Sequence, residues 1–164
     1  IDFLLISDYG KGVCNENVLK EIIKACNDKN INVFVDPKGK NYTKYQNSFC
    51  ITPNKNEAEL IIDKKLLNDE DFEKAAKQIA ENFKIENCII TRGSDGLTCF
   101  DGKKSFYIKA NKVDVFDVSG AGDKFISVLA HRISQNNSIF NACNDANFEA
   151  GESVKSFGTR AVQH

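Results

Sequence analysis

The chain has 164 residues, 41% of them hydrophobic, which is the scale of one domain with a core of its own. Lys and Arg number 22 against 23 Asp and Glu, a formal net charge of −1. That balance lacks the dense basic field expected of a nucleic-acid or membrane-surface partner.

The six cysteines (Cys14, Cys26, Cys50, Cys88, Cys99 and Cys143) form no C-x-x-C pair, and only two His are present, so a zinc site finds no support. Buried free thiols in a reducing cytoplasm are expected instead. No apolar run approaches the roughly 20 residues that span a bilayer. The chain opens on Ile1-Asp2-Phe3-Leu4-Leu5-Ile6, already within an apolar strand, which predicts a piece of a longer polypeptide.

In chain order, Phe3 to Ser7, Asn32 to Asp36 and Cys88 to Thr91 have the length and β-branched content of buried strands, with a weaker run from Phe49 to Thr52. Between them, Glu16 to Asn27 places Val18, Leu19, Ile22, Ile23 and Cys26 on one helical face. Asp71 to Phe83 does the same with Phe72, Ala75, Ala76, Ile79 and Phe83, capped by Asn68 or Asp69. Alternating strands and helices predict an α/β fold, a doubly wound, mostly parallel sheet flanked by helices. After Thr91 the rhythm changes. Gly96 to Phe100 and Ser105 to Ile108 read as a hairpin around Asp101-Gly102. A helix from about Gly122 to Ser134 follows, then a last one from about Ile139 to Phe157 with Gly158 as its stop. No repeat or linker divides the chain, so residues 1–164 are one domain or part of one.

The segment with chemical content is Asp117-Val118-Ser119-Gly120-Ala121-Gly122-Asp123, between a β-rich stretch and an amphipathic helix. Small residues at 119 to 122 let backbone amides approach an anion, and the helix start favours negative charge there. Asp123 is a carboxylate beside that anion hole, suited to take a proton from an attacking hydroxyl. A plain strand-to-helix turn in which Asp123 only caps the helix is the competing reading. A dinucleotide loop fails, because Phe125 stands where the third glycine of G-x-G-x-x-G belongs, and no Walker-A sequence exists in the chain.

This segment resembles the D-T-x-G-A-G-D signature of the ribokinase-like (PfkB) carbohydrate kinases. Two further segments match in order: Thr52-Pro53-Asn54-Lys55-Asn56-Glu57 resembles that family's N-x-x-E motif, and Thr91-Arg92-Gly93-Ser94-Asp95-Gly96 its T-x-G-x-x-G nucleotide loop. Ser7-Asp8-Tyr9-Gly10-Lys11-Gly12, Val35-Asp36-Pro37-Lys38-Gly39 and Gly158-Thr159 are similar to the heptose-7-phosphate kinase group within the family.

The resemblance implies a ribokinase-like fold, of which this chain covers about the second half of the kinase domain, and phosphorylation of a sugar phosphate with ATP and Mg²⁺. It makes Asp123 the base and Gly120, Ala121 and Gly122 the anion hole. Asn54 and Glu57 would organise Mg²⁺ through water. Thr91, Gly93 and Gly96 would line the nucleotide, Asn147 would lie beside the adenine, and Lys11 and Lys38 would meet phosphate groups. It also implies small-molecule partners, a homodimer, and fusion to a nucleotidyltransferase domain. Ser119 stands where the family has Thr. Lys124 follows the base where a small hydroxyl residue is usual, which leaves open stronger phosphate binding or a weakened base.

Overall fold

The computed structural model describes residues 1–111 and 119–154. Six strands form one mixed sheet: β1 (Phe3–Ser7), β2 (Asn32–Asp36), β3 (Cys50–Ile51), β4 (Asn87–Thr91), β5 (Leu97–Phe100) and β6 (Ser105–Ile108). They lie in chain order from one edge to the other. The pairs from β1 to β4 are parallel, and β4–β5 and β5–β6 are antiparallel. The connections between parallel strands carry the helices α1 (Glu16–Asn27), α2 (Lys55–Ile62) and α3 (Asp69–Phe83), with a 3-10 turn at Tyr42–Tyr45. After β6 come α4 (Ala121–Ser134) and α5 (Ile139–Ser153).

The period of two along each strand separates two cores. Val33, Val35, Ile51, Cys88 and Ile90 point to the side covered by α1, α2 and α3, where Leu19, Ile23, Phe72, Ala76 and Ile79 pack. Phe34, Cys50 and Ile89 point to the other side, against Phe125, Ile126 and Leu129 of α4 and Ala142, Cys143 and Ala146 of α5. The fold is thus the α/β sandwich with helices on both faces that the strand–helix alternation predicts. Five of the six cysteines are buried. Among the described residues, no helix is long and apolar enough to cross a membrane.

Helix starts follow their side-chain acceptors. Asn15 accepts from the Val18 amide, Asn68 from Asp71 and Ser138 from Asn141. Asn68, not Asp69, is therefore the cap of α3. Several expected boundaries shift by one or two residues, and β3 and the last helix are shorter than expected. The strand expected from Phe49 to Thr52 is reduced to Cys50–Ile51, the two residues that pair with both β2 and β4. The last helix ends at Ser153 with Val154 at its cap, before the expected Phe157. Helix α2, eight residues long, lies in a stretch that the periodicity left unassigned. Asp117, Val118 and Gly158 to Arg160 lie outside the described residues.

Candidate active site

Because β1 to β4 run parallel, their C-terminal ends gather at one pole of the sheet, the place where open α/β sheets bind ligands. Ser7-Asp8-Tyr9 leave β1 there, Asp36-Pro37-Lys38 leave β2, Thr52-Pro53-Asn54 leave β3 and Thr91-Arg92-Gly93 leave β4. Helix α4 packs against β1 and β2 and brings its first turn to the same pole.

Asp123, in that first turn, receives hydrogen bonds from two hydroxyls of the β1 end. Ser7 Oγ donates to Oδ1 at 3.2 Å, and the Tyr9 phenol reaches Oδ2 at 3.2 Å and Oδ1 at 3.4 Å. Gly120 is the N-cap of α4 with φ 77°, a left-handed conformation that favours glycine. At Gly122 an added Cβ would meet nothing within 4 Å. The small residue there is not required by neighbouring atoms of the fold. Lys124 pairs at 3.8 Å with Glu149 of α5, so its charge is shared with that helix.

Asn54 and Glu57 form a reciprocal capping box at the start of α2. Asn54 Oδ1 accepts from the Glu57 amide and Glu57 Oε2 accepts from the Asn54 amide, both at 3.0 Å. The helix-cap reading and the metal-organising reading therefore fall on the same pair. A parallel bridge joins Asn54 to Thr91, which unites the second and third motifs. Glu57 Oε1 faces Lys38 Nζ at 3.1 Å.

Two of the remaining nucleotide candidates, Gly96 and Asn147, meet the segment that ends β6. Gly96, at φ 96°, lies against the end of β6, and an added Cβ there would sit 2.0 Å from the Ile108 carbonyl oxygen. Asn147 Nδ2 donates to the Lys109 carbonyl at 2.8 Å. Gly93 also has positive φ, 59°. Lys11 is exposed in the loop between β1 and α1 and is not drawn into the contacts that join the other candidates.

Four residues of this pole had no assigned role in the sequence reading: Ser7, Asp8, Tyr9 and Asp36. Asp8 is buried and accepts from Tyr45 Oη at 2.6 Å, from the Gly10 amide at 2.7 Å and from the Lys44 ammonium. Burial pushes its carboxyl up, but these hydrogen bonds and the Lys44 charge outweigh that and hold it below its ordinary value. Asp36 has the opposite fate. Burial, then the charges of Glu57 and Asp123, push its carboxyl up to about 6. Asp36 is thus within electrostatic reach of both motif carboxylates and links the α2 start to the α4 start. A carboxylate at the C-terminal end of an apolar strand was the available sequence signal for Asp8 and Asp36.

A pfkB family carbohydrate kinase model matches residues 1–164. The chain belongs to that family. It is 40% identical over 162 residues to the bifunctional protein HldE of Desulfatibacillum aliphaticivorans, covering 98% of this chain and 33% of that protein. To HldE of Campylobacter jejuni subsp. jejuni serotype O:6 it is 40% identical over 160 residues, covering 97% and 34%. The chain therefore spans about a third of the length of the curated relatives it matches. Phosphofructokinase-2 from Escherichia coli, solved in complex with potassium, superimposes with a TM-score of 0.85 at 22% identity, over 96% of this chain and 52% of that one. Ribokinase from Thermotoga maritima gives 0.77 at 25% identity, over 96% and 51%.

Proposed function

We propose that this chain is the nucleotide-handling part of an ATP-dependent sugar kinase whose acceptor is the anomeric hydroxyl of D-glycero-D-manno-heptose 7-phosphate. The observation that carries the phosphoryl-transfer reading is Asp123, a carboxylate in the first turn of α4, held by Ser7 and Tyr9 beside the Gly120-Ala121-Gly122 amides. The heptose assignment draws on the residues at 7–12 and 35–39 and on the likeness to the HldE proteins.

In this reading Asp123 accepts the proton of the sugar hydroxyl as its oxygen bonds the γ-phosphorus of ATP. The bond from that phosphorus to the β,γ-bridging oxygen breaks, and ADP leaves with the electron pair. The amides at the α4 start stabilise the charge on the transferring group. Thr91, Gly93 and Gly96 line the nucleotide, with Asn147 beyond them, and Lys11 serves a phosphate from the β1 loop.

The donor set suits a hydrated divalent cation. Asp36, Glu57 and Asp123 lie within electrostatic reach of one another: burial first, then the charges of the other two, raises the Asp36 carboxyl. No group of three ligating side chains is close enough for direct coordination among the described residues. Asn54, Glu57 and Asp36 would therefore hold Mg²⁺ largely through its water, as that ion prefers. Bound there, it would neutralise the nucleotide phosphates. Most of the sugar contacts would lie in the part of the longer relatives that this chain does not span. Cytoplasmic location, homodimerisation and fusion to a nucleotidyltransferase domain belong to the same reading.

The test is Asp123→Asn in the full-length polypeptide. Turnover is expected to fall by about 10²- to 10⁴-fold, the usual worth of a general base, with Mg·ATP binding retained. Near wild-type turnover would falsify the base assignment. A panel of sugar phosphates separates heptose 7-phosphate from ribose or fructose 6-phosphate acceptors. Binding of Mg·ATP without phosphorylation of any of them would point to a non-catalytic nucleotide-binding chain.

A further inference from the structure

Among the described residues, the pole of the sheet gathers the carboxylates Asp8, Asp36, Glu57 and Asp123, with Lys38 paired to Glu57 and Lys44 to Asp8. These cations are held differently. Lys44 is largely buried and committed: its ammonium bonds Asp8 and the Cys14 carbonyl. Lys38 is 57% exposed and, among the described residues, makes a single ion pair, to Glu57 Oε1 at 3.1 Å.

The backbone of Lys38 is fixed independently of its side chain. Its amide donates to Tyr45 Oη at 3.0 Å, and the single proton of that hydroxyl goes to Asp8 at 2.6 Å, so the loop is tied to the buried carboxylate. The ammonium is therefore free to leave Glu57 without disturbing the loop, and an exposed ion pair of this kind contributes little to stability. Glu57 itself is 12% exposed and has committed its other oxygen to the α2 cap, so Oε1 is the oxygen it has to offer a ligand.

We infer that Lys38 is an exchangeable counter-ion: it neutralises Glu57 until a hydrated divalent cation takes its place, and is then released as a free ammonium at the phosphate-binding pole. This rests on the reading of Glu57 as a metal-organising residue. The two cations compete for one oxygen, so arrival of the metal and release of the lysine are one event. A charge that would otherwise oppose the metal is handed to the anions that accompany it. Removal of the Lys38 charge must then strengthen metal binding through Glu57, so the gain disappears once Glu57 is replaced, whereas a through-space repulsion would persist.

The experiment is Mn²⁺ binding to the chain, followed by electron paramagnetic resonance with and without ATP, for wild type, Lys38→Met, Lys38→Arg and Glu57→Gln. Glutamine keeps an oxygen for the capping bond. Lys38→Met is expected to bind Mn²⁺ at least about threefold more tightly than wild type, and Lys38→Arg like wild type. Glu57→Gln is expected to weaken binding and to abolish the effect of Lys38→Met in the double variant. In wild type, the Lys38 side-chain NMR signal is expected to move on addition of Mg²⁺. Equal or weaker Mn²⁺ binding by Lys38→Met, with wild type binding normally, overturns the counter-ion role alone. Absence of Mn²⁺ binding by every variant overturns it together with the metal reading of Glu57, and neither result bears on the Asp123→Asn experiment.

Discussion

Ser7 and Tyr9 sit on alternate sides of Asp8, and the burial of Asp8 is what places their hydroxyls at Asp123. Tyr45, Lys44 and the Gly10 amide fix the Asp8 carboxylate, so the chain leaving β1 has one path. Tyr9 is itself exposed, which makes its bond to Asp123 a matter of orientation more than of stability. Tyr9→Phe and Ser7→Ala should each lower turnover about three- to tenfold, near 1 kcal/mol, as expected for one hydrogen bond to an exposed charged group. KM for ATP and Tm should stay unchanged. A variant that loses ATP affinity or Tm in step with turnover would instead mark these hydroxyls as structural. Asp123, Asn54 and Glu57 were legible because each motif is continuous in the chain. Ser7 and Tyr9 were not, because their partner lies 116 and 114 residues away and only the packing of α4 on β1 brings it near.

At the scale of elements, the glycines divide into those the fold needs and those it does not. Gly96 is enforced by the approach of β6: its positive φ and the Ile108 carbonyl leave no room for a Cβ. Gly122 lies in the first turn of α4 with open space around it. Gly96→Ala should destabilise the protein by several kcal/mol, since backbone must shift, and lose nucleotide binding only as a consequence. Gly122→Ala should leave Tm unchanged or raise it slightly, since Ala exceeds Gly by up to about 1 kcal/mol in helices. If the space at 122 is for a ligand anion, Gly122→Ala should nonetheless weaken Mg·ATP binding or turnover. Unaltered function in Gly122→Ala would show that amide approach at this position is not used. Sequence pattern marked both glycines alike, because it records that a residue is small and not which atoms come near it. The same limit hid α2, whose eight residues give too few apolar repeats to reveal a face, although Asn54 and Glu57 at its start were already singled out. The long elements α1 and α3 and the strands β1, β2 and β4 were readable because their apolar faces match two separate cores.

For the whole molecule, gathering carboxylates at one pole makes stability depend on pH in two opposed ways. Asp8 has a folded value below its ordinary 3.8, so its contribution is present above that value and is lost as pH falls below it. Asp36 is pushed up to about 6, so its protonated form favours the fold below 3.8 and that advantage is lost as pH rises through 6. From these two groups, stability should be greatest near pH 4, should decline as pH rises from there to about 6, and should stay low toward neutrality, where Asp36 carries a charge held against Glu57 and Asp123. A shift of roughly two units corresponds to about 3 kcal/mol, and about 2 kcal/mol is a fair expectation once solvent screening at a partly exposed group is counted. Asp36→Asn removes that cost. Its Tm should exceed wild type by about 5 °C at pH 7.5, using about 2–4 °C per kcal/mol for a chain of this size, and should equal wild type below about pH 4. Mg²⁺ should raise the wild-type Tm at pH 7.5 and narrow the gap, because a divalent cation relieves the same repulsion that the substitution abolishes. Calorimetric scans at pH 3.5 and 7.5, with and without Mg²⁺, check all three statements. A variant less stable than wild type at pH 7.5 would mean that the Asp36 charge is already compensated in the folded chain, and the excess of negative charge that the metal is proposed to meet would not exist.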